Sequence, residues 1–252
     1  MNITGNIIFI PGATSGIGLA LALRLKKAGN TVIIGGRRID VLDRLAADHD
    51  LDTVSIDTTD PAAVLAARDR VLDQYPKLNV LIAMAGVMSE ENLRSADFLK
   101  ESERIVDTNV LGPLRLIAAF IDHLLLQPDS TIITVSSGLA HTPLAITPTY
   151  NGSKAFIHLF SETMRLQYVG TPVKIVELVP PAVRTELITG GSVNPHFMPL
   201  EEFADETVHL LETQPDATEI LVDRVNFLRF AEVENRYDAT VAALNPSIGS
   251  PA

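Results

Sequence analysis

The sequence predicts an α/β fold: one doubly wound parallel sheet of about seven strands, with helices on both faces. Three observations carry this. Short apolar, β-branched runs alternate with longer segments of helical spacing along the 252 residues. The runs are nearly continuously apolar, as strands buried on both faces are. No Pro/Gly/Ser stretch is long enough to act as a linker between domains, so residues 1–252 read as a single domain. The prior of roughly 150 residues per domain allows one or two.

The strands are expected at 6–10, 31–34, 53–56, 79–83, 131–136, 173–179 and 219–222. The first helix spans 16–28, with apolar Ile17, Ala20, Leu21, Ala22 and Leu25 and a Gly29-Asn30 stop. Asp60 and Pro61 cap and open a later one. A long helix over 99–126 contains Pro113, which predicts a kink near Gly112. Further helices are expected at 149–169, 200–212 and, terminally, about 226–244. Strand, helix, strand in regular succession gives a parallel sheet. Such a sheet binds ligands beyond the carboxyl ends of its strands, where the strand order reverses. Functional residues are therefore sought just after the strands.

Composition excludes several functions. The net charge of −11 argues against nucleic acid or an anionic membrane as partner, since both need a positive field. The chain has no cysteine, so disulfides, zinc–thiolate sites and a cysteine nucleophile are excluded. No run approaches the roughly 18 apolar residues of a spanning helix. The start, Met1-Asn2-Ile3-Thr4-Gly5, lacks the basic region of a secretory signal. A cytoplasmic protein acting on a small molecule is the expectation.

After the first strand the chain reads Pro11-Gly12-Ala13-Thr14-Ser15-Gly16-Ile17-Gly18. Glycines permit a tight turn and close backbone approach to a pyrophosphate. The helix start then offers free N–H groups and a positive dipole end. Gly12, Thr14, Ser15, Gly16, Ile17 and Gly18 are the candidate phosphate-binding residues; the alternative is an ordinary strand-to-helix turn.

This G-x-x-x-G-x-G turn resembles that of the short-chain dehydrogenase/reductase family, in its shorter single-domain, Rossmann-type branch. Pro11 stands where that family usually has threonine. The resemblance implies a nicotinamide cofactor. The second strand ends Gly35-Gly36-Arg37-Arg38. Gly36 occupies the position where NAD-using relatives carry aspartate, and Arg37 the position where NADP-using relatives carry arginine. A guanidinium forks onto a 2′-phosphate, so Arg37 and Arg38 favour NADP (NADPH). Two arginines capping a strand end in solvent are the alternative, and Asp40 is a rival partner for an NAD ribose. Asp57 matches the residue that contacts the adenine ring in the family; capping a helix is its other reading, and the two are compatible.

Tyr150 and Lys154 stand at i and i+4, one turn apart on one helix face. A lone pair of this kind is weak evidence; its position after the fifth strand strengthens it. Ser137 precedes Tyr150 by the interval the family uses between its serine and tyrosine, with Ser136 as rival, and Asn109 matches the family's asparagine. The resemblance therefore implies a catalytic set of Asn109, Ser137, Tyr150 and Lys154. Hydride transfer to a carbonyl builds negative charge on oxygen, which needs a proton donor near working pH. An ammonium ~4 Å from a phenol, at an effective dielectric near 20, favours the phenolate by roughly 4 kcal/mol, about three pKa units. Ser137 would stabilise the developing charge. By resemblance, Lys154 also holds the nicotinamide ribose and Asn109 anchors a proton-relaying water.

After the fourth strand the family's N-N-A-G is replaced by Ala83-Met84-Ala85-Gly86, where Ala85 and Gly86 still leave a close path beside the cofactor. After the sixth strand come Pro180-Pro181-Ala182-Val183-Arg184-Thr185; Pro180 belongs to the cofactor set, and Val183 and Thr185 match the residues that hold the carboxamide. The doubled proline and the opening turn resemble bacterial DltE-like oxidoreductases. Residues 186–200 read as a substrate lid or as a surface loop. Met88, Leu139, His141, Leu144, Leu187, Phe197 and Met198 are candidate pocket residues, and their balance suits an apolar carbonyl or secondary alcohol. No His and carboxylates show metal-ligand spacing, so no metal is expected. An NADP-dependent short-chain dehydrogenase/reductase, forming a homodimer or homotetramer as its relatives do, is the leading reading. An NAD-dependent alcohol dehydrogenase and a cofactor-sensing non-enzyme are the alternatives.

Overall fold

The computed structural model describes residues 2–246; the ends of the expected 1–252 domain lie outside the described residues. Seven strands form one sheet: β1 (Ile7–Pro11), β2 (Thr31–Gly36), β3 (Asp52–Ser55), β4 (Val80–Ala83), β5 (Ser130–Val135), β6 (Val173–Leu178) and β7 (Glu219–Ile220). Their order is β3-β2-β1-β4-β5-β6-β7, and every pairing is parallel. The order reverses between β1 and β4, so the sheet opens a crevice beyond those two strand ends.

The helices are α1 (Gly16–Lys27), α2 (Ile39–His49), α3 (Pro61–Gln74), α4 (Phe98–Val106), α5 (Gly112–Leu124), α6 (Pro148–Gln167), α7 (Leu200–Thr213), α8 (Asn226–Arg229) and α9 (Tyr237–Leu244). Strand periodicity sorts the core. On β1, Ile8 and Ile10 face a cluster with Leu21, Leu25, Phe203 and Leu211 from α1 and α7. The intervening Phe9 points the other way, to Leu116 and Phe120 of α5 and Val64 and Val71 of α3. Both faces of the sheet are therefore apolar, which is why the strands lack polar alternation.

The expected 99–126 helix is two helices joined by a π turn over Asp107–Leu111. Pro113, in the first turn of α5, has no N–H to offer the Asn109 carbonyl four residues back. The expected terminal helix is also divided: α8 ends at Arg229, and the chain turns through Asn235, whose φ is 56°, before α9 begins. Strand β7 stops two residues short of its expected end. Among the described residues, no helix is long and apolar enough to cross a membrane.

Candidate active site

Strand β1 delivers Pro11 to its end, where Gly12 donates to the Gly35 carbonyl at 2.8 Å. Gly12 has φ +90°, and a Cβ there would stand 2.7 Å from Ala85 Cα. Glycine is thus required twice, for the backbone angle and for the approach of the β4 loop. Ser15 precedes α1 without a side-chain cap, which leaves the first amides of α1 without a local acceptor. The turn opens into a cleft of about 810 Å³, lined by Gly12, Ser15, Gly16, Ile17 and Gly18 at one end and by Ser137, Tyr150 and Lys154 at the other. An uncapped helix start behind a glycine cradle fits a phosphate-bearing cofactor.

Thr14, Arg37, Arg38 and Asp57 lie outside the cleft lining but beside its glycine end. Arg38 donates to Thr14 Oγ1 at 3.2 Å. A Cβ on Gly36 would stand 2.4 Å from Thr14 Cγ2, so an aspartate there would displace Thr14. Arg37 is exposed, as is Asp40 in the first turn of α2. Asp57 accepts from the amide and hydroxyl of Thr59, at 3.0 and 2.7 Å. Burial pushes this carboxyl up, but those hydrogen bonds and the charges of Arg37 and Arg115 hold it below its usual range. The helix cap is Asp60, which accepts from Ala62 N at 2.8 Å, so capping does not account for Asp57.

Tyr150 and Lys154 are 6% and 5% exposed, deep for a phenol and an ammonium. Lys154 Nζ donates to the Val135 carbonyl at 2.8 Å and stands 5.6 Å from the Tyr150 ring centroid. Burial pulls Lys154 down to about 8. Burial pushes Tyr150 up to about 12, with the Ser137 hydroxyl acting in the opposite direction. Lys154 is not among the groups that shift Tyr150; burial, which favours the neutral phenol, outweighs the Ser137 hydrogen bond. Ser137 Oγ accepts from Leu139 N at 3.1 Å, which leaves its hydrogen for another acceptor.

Asn109 is 1% exposed and does not line the cleft. Its Oδ1 accepts from Val87 N at 2.8 Å, and its Nδ2 donates to Val87 O and Ser153 Oγ at 2.9 and 3.1 Å. The side chain thus braces the β4 loop against α6. Gly86 sits between the two groups: a Cβ there would be 3.5 Å from Asn109 Oδ1 and 3.6 Å from Lys154 Nζ. Ala85 forms the floor against Gly12. On the β6 side, Pro180 accepts from Gly138 N at 2.9 Å, and Val183 pairs with Met198. Thr185 Cγ2 lies 3.5 Å from a notional Gly16 Cβ, so this segment folds over the glycine turn.

The substrate end holds Met88, Leu139, Leu144, Leu187 and Phe197 as expected, but neither His141 nor Met198 lines it. Met198 is 1% exposed and belongs to the core, because its pairing with Val183 turns it inward. The cleft also takes Leu228 and Leu244 from α8 and α9, with Ile188 and Arg104. Ile188 lies within the expected lid, but Arg104, Leu228 and Leu244 reach the cleft from remote parts of the chain, which no local spacing marks. Arg184 donates to the carbonyls of Asn194 and Pro195 at 3.0 and 3.1 Å and clasps the 186–200 segment.

His141 falls instead in a group with His158, Glu177 and Glu219, each offering an atom within 4.8 Å of the others. The four come from four separate elements, so no sequence interval reveals them.

Residues 6–192 match the family profile described as short chain dehydrogenase. The chain is 39% identical over 194 residues to the uncharacterized oxidoreductase DltE of Bacillus subtilis (strain 168), covering 74% of this chain and 75% of that one. It is 33% identical over 190 residues to a serine 3-dehydrogenase of Agrobacterium fabrum, covering 73% and 76%. Among solved structures, a short chain dehydrogenase from Burkholderia cenocepacia J2315 in complex with NADP matches with a TM-score of 0.80 at 24% identity, over 100% of both chains.

Proposed function

The chain belongs to the short-chain dehydrogenase family, and from that premise we propose that it reduces an apolar carbonyl compound to the secondary or primary alcohol with NADPH, or runs the reverse oxidation. The observation that carries this reading is one cleft with two ends: a glycine cradle under an uncapped helix start, and Ser137, Tyr150 and Lys154 converging on the other side.

When bound, a reduced nicotinamide would supply the hydride to the carbonyl carbon. Tyr150, protonated up to about pH 12 in the free chain, donates its proton to the oxygen that gains charge. Ser137 donates a hydrogen bond to that same oxygen, its Oγ already oriented by Leu139 N. Lys154 supplies positive charge behind the phenol and a donor for the cofactor ribose. Asn109 has its side chain committed to Val87 and Ser153, so any water it anchors is held by its carbonyl, which lacks its helical donor at Pro113. Arg37 and Arg38 would hold a 2′-phosphate, and Gly36 leaves no carboxylate to repel it. Asp57 would meet the adenine, and Thr185 and Val183 the carboxamide.

The apolar substrate wall of Met88, Leu139, Leu144, Phe197, Leu228 and Leu244 supports a hydrophobic carbonyl over a charged one. The protein acts as a homodimer or homotetramer. Exposed Leu99 (55%) and Leu111 (40%) near α4, and Leu159 (63%) and Leu166 (76%) on α6, support a second copy on that side. The exposed Asp40 favours the NAD-dependent reading, and cofactor choice separates the two. A panel of ketones, aldehydes and alcohols assayed with NADPH and with NADH tests the proposal. Turnover of apolar carbonyls with preference for NADPH is the expected result. Tight cofactor binding with no turnover of any carbonyl would identify a cofactor sensor instead.

A further inference from the structure

Beneath the loop that carries Ser137, four side chains meet from four elements. His141 follows the short turn Gly138–Ala140, His158 lies on α6 one turn beyond Lys154, Glu177 is in β6, and Glu219 opens β7. One donor atom from each lies within 4.8 Å of every other. From this geometry we propose that His141, His158, Glu177 and Glu219 form a structural site for a divalent transition metal, zinc by its ligand set.

The chemistry of the donors selects the ion. Two imidazoles with two carboxylates suit zinc, which takes four such ligands tetrahedrally when the site is structural. Bonds of about 2.0–2.2 Å place tetrahedral donors ~3.4 Å apart, so the group contracts by about 1 Å on binding. His141 Nε2 is buried without a hydrogen-bond partner among the described residues. A buried polar atom left in this way calls for a ligand, a water or an ion. Glu177 is 0% exposed, so its charge already needs cationic partners.

The neighbours of the four fit an outer shell. His158 Nδ1 lies 3.0 Å from both Glu177 oxygens, while its Nε2 lies 3.8 Å from Glu162 Oε1. Nδ1 therefore faces the ion and Nε2 faces a carboxylate, the arrangement that orients a metal-bound histidine. Arg165 reaches Glu177 Oε2 at 3.3 Å, and Arg229 takes both oxygens of Glu219 at 2.9 and 3.0 Å. A carboxylate has about four lone-pair sites, so each shares an oxygen between arginine and metal. Glu162, Glu177 and Glu219 outnumber Arg165 and Arg229 by one charge, which favours a cation among them. With all four positions filled by protein, the ion has no open site for substrate. It fastens the Ser137–His141 loop to α6 and to the β6–β7 edge.

The full chain, stripped with a chelator and dialysed, is titrated with zinc chloride by calorimetry and with cobalt(II) by absorption spectroscopy. The expected result is one equivalent of zinc, a tetrahedral cobalt(II) spectrum and a higher melting temperature with zinc than with chelator. His141→Ala, on a loop, should weaken zinc binding by more than about tenfold with an unchanged circular dichroism spectrum, whereas His209→Ala should not. His158→Ala should behave as His141→Ala does. No saturable binding by the unaltered chain, or equal affinity in the His141→Ala and unaltered chains, overturns the proposal. The readouts are binding and spectra, so they are independent of whether the cleft reduces carbonyls.

Discussion

Lys154 keeps its charge only to about pH 8 in the free chain, because full burial works against the ammonium. Tyr150 keeps its proton to about 12 for the corresponding reason. Raising the pH through 8 therefore removes the positive charge behind the phenol before the phenol itself titrates. Reductive kcat/KM for NADPH should fall as pH rises above about 8, since that ratio reports the free protein. A profile flat to pH 10 would show that Lys154 is not needed in its charged form. A second residue-scale prediction concerns the cofactor. Charge-assisted hydrogen bonds contribute about 1.5–3 kcal/mol. Arg37→Ala should thus weaken NADPH by roughly 10-fold or more while leaving NADH nearly unchanged; equal losses, measured by fluorescence titration, would contradict the NADP reading. The Tyr150–Lys154 pair was legible in the sequence because one helical turn relates the two residues. The lysine's commitment to the Val135 carbonyl was not, since that contact crosses from α6 to β5.

Helix α6 carries the tyrosine, and its first turn is held from outside. Glu91, on the loop after β4, accepts from Thr149 N at 2.9 Å, from Thr149 Oγ1 at 2.7 Å and from Ser102 Oγ at 2.7 Å. The preceding Thr147 makes no cap of its own. A carboxylate at a helix N-terminus satisfies free amides and complements the dipole. Glu91→Ala should destabilise the protein by about 1–2 kcal/mol, read as a lower denaturant midpoint, and should reduce turnover more than cofactor affinity. An unchanged midpoint would show that α6 is anchored elsewhere. Gly12→Ala should abolish cofactor binding, because the added Cβ meets Ala85 at a φ of +90°; retained binding in calorimetry would contradict the cradle. Both the glycine spacing and the Pro113 break were legible, since each is a local backbone rule. The π turn, the division between α8 and α9 and the reach of Leu228 and Leu244 into the cleft depend on packing between distant segments.

Across the whole molecule, the sheet order and the position of the cleft follow from one topological fact, the reversal between β1 and β4. That order was legible as a class, because continuously apolar strands alternating with helices admit few arrangements. Tertiary gatherings such as His141, His158, Glu177 and Glu219 were not, as their members are far apart in the chain. Leu99 and Val106 on α4 and Phe156, Leu159 and Leu166 on α6 are among the exposed apolar residues, and burial against a second copy would remove them from water. A double Leu159→Glu, Leu166→Glu variant should sediment as a monomer in analytical ultracentrifugation, while the unaltered chain sediments as a dimer or tetramer; a monomeric unaltered chain would contradict the assembly.

The central claim is that one phenol, poised between Ser137 and Lys154, protonates the oxygen that hydride transfer charges. Tyr150→Phe, with NADPH binding and single-turnover reduction of an active ketone measured on the same preparation, tests it most directly. Binding within about twofold of the unaltered chain and reduction slowed by about 10²–10⁴-fold are the predicted results. Reduction at an unchanged rate, with the fold intact, would contradict the claim.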